Sequence, residues 1–214
     1  LWIQHTCDSG HFPAMASDGL SGQKIPEEYG KATPFFRLGA LIVLPCTCIS
    51  ILLGYGDASN SICKVVSLLG AAYAFGSNVW LLRYGPRMYA VCCKESSWLG
   101  KEAFSTIQAA CFPEYFALQS GSCILALSGA TNCWAQAAMA SATALALVNQ
   151  LFLGPKTAEL MVKLYEKSAG ADASLLNGST DIKKKFGMIH GISMLLDLLN
   201  LIAVFLYICI VASQ

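Results

Sequence analysis

Between Glu114 and Lys156 the chain carries no charged residue. A helix rises 1.5 Å per residue, and about 20 mostly apolar residues cross the hydrocarbon of a bilayer. Residues 115–155 are about twice that length. The turn-forming string Ser128-Gly129-Ala130-Thr131-Asn132 divides them. The run therefore predicts two antiparallel spans joined by a tight loop, 113–130 and 133–154. Further charge-free runs lie at 38–56 and 65–82, and beyond Lys185 the only charge is Asp197. The sequence thus predicts an all-α, polytopic membrane helix bundle with five transmembrane helices at 36–56, 62–83, 113–130, 133–154 and 187–211. An extended polar segment, 1–35, precedes it.

Composition agrees. Of 214 residues 55% are hydrophobic and 13% charged, about half the charge of a soluble domain. The net charge is +1, too little for a basic surface that binds nucleic acid or a field that steers a ligand. The positive-inside tendency tests the span count. With five spans, every one of the 14 Lys and Arg residues except Lys64 falls on one side of the membrane. That side, cytoplasmic, matrix or stromal, is expected to hold the N-terminus, with the C-terminus opposite. Segment 1–35 has no apolar stretch of the kind found in a signal peptide. The first residue is Leu1 rather than methionine, which processing after import into an organelle, or a missing end, would leave.

Two segments read alike. Asn78 is followed by Gly85-Pro86-Arg87, and Asn149 by Gly154-Pro155-Lys156. Proline cannot continue the helical hydrogen-bond ladder, and a cation suits the negative end of the helix. Both strings read as helix ends on the basic side. They fit a parallel repeat, helices two and three matching four and five; a stop that any exiting helix favours accounts for them as well. Segment 97–110 reads as interfacial, with Trp98, Phe104 and Ile107 at helical spacing. Segment 157–167 reads as a separate helix carrying a Glu159/Lys163 pair, and 169–180 as a loose loop. The alanines of helix four let neighbouring backbones approach closely in lipid. Trp80, Tyr84 and Tyr89 suit the aromatic belt.

Three strings, in order, carry a resemblance: Phe112-Pro113-Glu114-Tyr115-Phe116, Gly154-Pro155-Lys156-Thr157, and Phe186 followed by His190-Gly191-Ile192-Ser193. Over residues 62–212 the chain resembles the transmembrane protein 205 family, small eukaryotic proteins with a four-helix membrane domain of poorly defined function. The resemblance implies a membrane fold and no activity. The span at 36–56 is an addition to that unit, and Asp197 stands where the family pattern leads one to expect an amide.

Asp197 is costly at a helix centre, roughly 2.5–3.5 kcal/mol on insertion scales. It calls for a partner, water or a proton. Asn78 and Asn149 are candidate donors from other helices, and the alternative is a proton or cation site. Asn200 shares its face, and His190, seven residues back, falls near it. His190 could pack or could ligate a pigment or haem. Glu114 reads as complementing the positive end of helix three. Ten cysteines read mostly as small hydrophobes. Cys92-Cys93 also suits palmitoylation, and Cys63 and Cys133 fall on the same far side, where a disulfide could join them. His5, Cys7 and His11 lack a fourth metal ligand. No phosphate-binding, nucleophile-elbow or zinc-protease motif occurs.

The expectation is a non-catalytic accessory subunit packed against other membrane subunits and lipid. Its host would be an organellar energy-converting complex, photosynthetic or respiratory, in a thylakoid or mitochondrial inner membrane. No cofactor is required; chlorophyll or lipid would be expected only in a photosystem. The alternative is a small oligomeric transporter or channel using Asp197. An enzyme acting on lipid ranks last, because only Glu114 and His190 speak for it.

Overall fold

The computed structural model describes residues 30–54, 61–92, 100–169 and 176–213. Helices account for nearly all of them, and there is no strand among the described residues. In chain order they are α1 (Thr33–Gly54), α2 (Ser61–Cys92), α3 (Gly100–Leu127), α4 (Cys133–Val148), a π turn (Asn149–Leu153), α5 (Gly154–Ala169) and α6 (Leu176–Ala212). The segment 1–29, with His5, Cys7 and His11, and also Cys93, lies outside the described residues.

Contacts between helices fix their directions. Ser67, Asn78 and Tyr89 of α2 meet Ala126, Tyr115 and Phe104 of α3, so these two helices run antiparallel. Ser67 and Asn78 likewise meet Tyr207 and Asn200, so α6 also opposes α2. Ala142 and Asn149 meet Asn200 and Asp197, so α4 opposes α6. Phe35 lies by Phe116 and Ser50 by Ile124, so α1 runs parallel to α3. Five passes therefore alternate, as a chain threading a membrane five times requires. Thr33–Leu53, Ser61–Cys92, Cys133–Leu164 and Thr180–Ala212 are each long and apolar enough to cross a membrane. The remaining long helix, α3, is more polar and is not one of these four: Gln119 and Ser120, both fully buried, and Glu114, exposed, lie in it. It packs on α1, α2, α4 and α5, so Gln119 and Ser120 face protein. The protein is a multi-pass membrane helix bundle.

Small side chains form the core. Ala71, Ala74, Ala126, Ala135 and Ala142 are buried with Met139, Val204 and Tyr207. Lipid supplies no hydrophobic drive between helices, so close backbone packing takes its place. Gly70 shows how close: a Cβ there would stand 2.6 Å from the Ser122 carbonyl oxygen and 3.0 Å from the Ala126 nitrogen, both backbone atoms of α3. Gly70→Ala is expected to force α2 and α3 apart and cost about 2 kcal/mol, as overpacking does. The check is detergent unfolding followed by the reactivity of the buried thiols Cys63 and Cys123. The α3–α4 hairpin forms where the turn string places it. Asn132 caps α4, its side chain accepting from the Ala135 N–H at 2.7 Å.

Several expected helix ends move. Gly85-Pro86 does not end the second helix, which runs on to Cys92. The third helix begins at Gly100, so the stretch expected to lie along the interface is its first half, and Pro113 lies inside it. One cause covers both: Tyr89 packs edge-on to Phe104 at 5.5 Å, so the extensions of α2 and α3 support each other. Each proline then forfeits one hydrogen bond without breaking its helix. Nor does Gly154-Pro155 end the fourth helix, which passes through the π turn into α5. There the Gly154 N–H bonds back to the Asn149 carbonyl, and this wider turn makes room for the proline ring. A π turn thus precedes Gly154-Pro155 while an unbroken α-helix carries Gly85-Pro86, against the repeat. The last helix begins at Leu176, so part of the expected loop is helical. Cys63 and Cys133 are free thiols.

Candidate functional site: a buried polar layer

The buried residues of α6 are Ser193, Asp197, Asn200, Val204 and Tyr207. They recur at alternating intervals of four and three, so they form one stripe facing the bundle. Polar side chains of α2, α3 and the π turn meet it, and α4 adds a backbone carbonyl.

The larger group centres on Asn78 of α2 and Asn200 of α6, both fully buried. Asn78 Nδ2 donates to Asn200 Oδ1 at 2.9 Å and to its own helix at the Ala74 carbonyl, also at 2.9 Å. Asn78 Oδ1 accepts from the Tyr115 hydroxyl at 3.0 Å and from Gln119 Nε2 at 2.9 Å. Asn200 Oδ1 also accepts from Gln119 Nε2, at 3.0 Å. Asn200 Nδ2 donates to the Ala142 carbonyl of α4 at 2.6 Å and points its second hydrogen toward Cys123 Sγ at 3.8 Å. Each of the two asparagines thus uses both donors and both acceptor sites, the full capacity of a primary amide. In hydrocarbon an unmade bond would be expensive.

The second group holds Asp197. Of its two candidate donors, Asn149 is the one that reaches it: Asn149 Nδ2 donates to Asp197 Oδ1 at 2.8 Å and to the Ser193 carbonyl at 3.2 Å. The Asn149 side-chain oxygen, Oδ1, has no partner among the described residues. Asn149 opens the π turn, so the widened backbone is what sets this amide against α6. Beyond it Gln150 Nε2 donates to the Phe35 carbonyl of α1, and the Phe35 ring lies against Gly154, where a Cβ would stand 2.6 Å from a ring carbon. A cavity of about 10 Å³ touches Asp197, His190, Ser193 and Phe116. That is room for one water at most.

His190 stacks on Phe186, ring centroids 5.5 Å apart and planes 7° apart. The cavity it lines is far too small for a tetrapyrrole, so the pigment or haem role has no space on that side. No group of three metal-ligating side chains occurs among the described residues. Gly85 and Pro86 stand apart from the layer, whereas Gly154 and Pro155 are buried beside it. Glu114 is exposed, 14 residues into α3. Its expected task at a helix start is overturned, because the helix starts at Gly100. The sequence reading missed Gln119, Tyr115 and the Ser67–Tyr207 hydrogen bond, which ties α2 to α6 one layer further in. The signal for the first two was their four-residue spacing inside a charge-free run.

Residues 69–166 match the family described as Domain of unknown function (DUF4149). The matched stretch holds Asn78, Tyr115, Gln119 and Asn149, while Asp197 and Asn200 lie beyond it. Comparison with curated proteins and with solved structures gave no significant match.

Proposed function

We propose that the chain is a non-catalytic accessory subunit of a larger membrane assembly, kin to the transmembrane protein 205 family. The observation that carries this reading is the use to which the intramembrane polar groups are put. Asn78, Gln119, Asn149, Asp197 and Asn200 bond to one another and to backbone across α2, α3, α4 and α6. They hold helices together, and the space beside Asp197 admits a single water. The outer faces of α1, α2 and α6 carry exposed Leu41, Leu52, Leu69, Leu195 and Phe205, surface that lipid or neighbouring subunits would cover.

Native electrophoresis of gently solubilised membranes, with mass spectrometry of the band, tests the proposal. Comigration with a large complex is expected. An organellar energy-converting complex, photosynthetic or respiratory, is the host to look for first. Migration alone, or as a small homo-oligomer, would overturn it. The rival reading, an oligomeric transporter or channel, draws on Asp197 and on Asn149 Oδ1, which has no partner among the described residues. It requires Asp197→Asn to abolish flux in reconstituted vesicles.

A further inference from the structure

Glu114 is left without its expected task, and its surroundings supply another. It lines an outward-facing groove of about 480 Å³ between α2 and α3, with Tyr73, Trp80, Tyr115 and Leu118. That volume falls within the range of small-ligand sites, about 300–1,000 Å³. The floor is open because of Gly76: a Cβ there would meet nothing within 4 Å. The only two ion pairs among the described residues both belong to Glu159. The Glu114 carboxylate is therefore exposed on α3 with no cation paired to it among the described residues.

Depth decides what can reach it. Trp80 packs against Tyr84, and Arg83 lies three residues beyond Trp80, about 5 Å along the axis. Tryptophan, tyrosine and arginine at one level mark the boundary between hydrocarbon and head groups. The groove opens there, so its occupant comes from the bilayer. A carboxylate among aromatic rings favours a large, weakly hydrated cation, because ring faces are negative and attract quaternary ammonium groups. Tyr73, seven residues and about 10 Å deeper on the same face of α2, lines the groove with Leu118 where the acyl chains of a lipid would run.

We infer that the groove between α2 and α3 binds a choline phospholipid, its trimethylammonium group held by Glu114 and the rings of Trp80 and Tyr115. The site does not depend on whether the protein is an accessory subunit.

The test is native mass spectrometry of the detergent-purified full chain. It is equilibrated with equal amounts of phosphatidylcholine and phosphatidylglycerol bearing the same acyl chains. The wild-type protein is expected to retain phosphatidylcholine in preference. Glu114→Gln removes the charge, and Gly76→Phe places a ring in the groove from a position where a Cβ meets nothing within 4 Å; each is expected to lower that preference about fivefold. Unfolding midpoints of both variants should match the wild type, which shows that the loss is local. Preference for phosphatidylglycerol would overturn the inference and point to Arg83 and Arg87 as the head-group ligands. Equal retention by wild type and both variants would overturn it too, leaving the groove to a partner subunit.

Discussion

Replacing Asn200 by leucine is expected to lower the stability of the detergent-solubilised protein by about 3 kcal/mol. Asn200 joins α6 to α2, α3 and α4 through hydrogen bonds to Asn78, Gln119 and the Ala142 carbonyl. A hydrogen bond contributes about 0.5–1.5 kcal/mol net, and intramembrane bonds fall toward the lower part of that range. Three bonds lost together give about 2 kcal/mol, and misfit of a larger apolar side chain adds about 1 kcal/mol. Leucine keeps the branching of asparagine and is larger, so no cavity forms. The readout is thermal unfolding in mild detergent, followed by the reactivity of Cys123, which is fully buried and sits beside the Asn200 amide. Asn78→Leu should cost a similar amount, and the double variant less than the sum, because the two side chains share one bond. Additive costs would mean that the amides act separately and that the layer is not a unit.

The way these residues come together explains which parts of the fold were legible. Crossings were readable from charge alone: stretches without Asp, Glu, Lys or Arg, divided at 128–132, give the alternating passes that the structure has. The stripe on α6 was readable from spacing, since Asp197 and Asn200 recur at helical intervals and face the bundle together. Helix ends were not, because a Gly-Pro pair stops a helix only when nothing beyond it packs. The contact of Tyr89 with Phe104 is between residues in different helices, and no local pattern announces it. The π turn at Asn149–Leu153 was equally hidden. Its sequence is ordinary, and its cause lies in accommodating Pro155 while Phe35 of α1 rests on Gly154. Gln119 escaped notice because an uncharged amide does not interrupt a charge-free run, although in lipid it needs partners as much as a carboxylate does. Glu114 was misread because the start of α3 was misplaced by thirteen residues, which made an exposed mid-helix carboxylate look like a charge complementing the helix start.

Asp197→Asn is expected to leave stability unchanged or raise it by about 1 kcal/mol, whereas Asp197→Leu is expected to cost about 3 kcal/mol. The asymmetry follows from Asn149. Its Nδ2 donates to Asp197, while its side-chain carbonyl oxygen, Oδ1, buried in the same amide, has no partner among the described residues. An asparagine at 197 can accept from Asn149 Nδ2 and donate from its own amide to that orphan oxygen, closing a two-bond amide pair. It also removes the cost of placing an ionisable group in hydrocarbon. Leucine does the reverse: it removes the acceptor of the Asn149 amide and leaves the carbonyl oxygen still unpaired, an uncompensated burial of about 1–3 kcal/mol, beside the bond it destroys. The measurement pairs thermal unfolding in detergent with native electrophoresis of membranes that carry each variant. If Asp197 serves packing, Asp197→Asn unfolds at or above the wild-type temperature and still enters the large complex, and Asp197→Leu does neither. If instead Asp197→Asn folds normally yet the membranes lose a proton or cation flux that the wild type supports, the carboxyl group has a task that its hydrogen bond to Asn149 does not explain. The protein would then be a transporter whose closed state this packing represents.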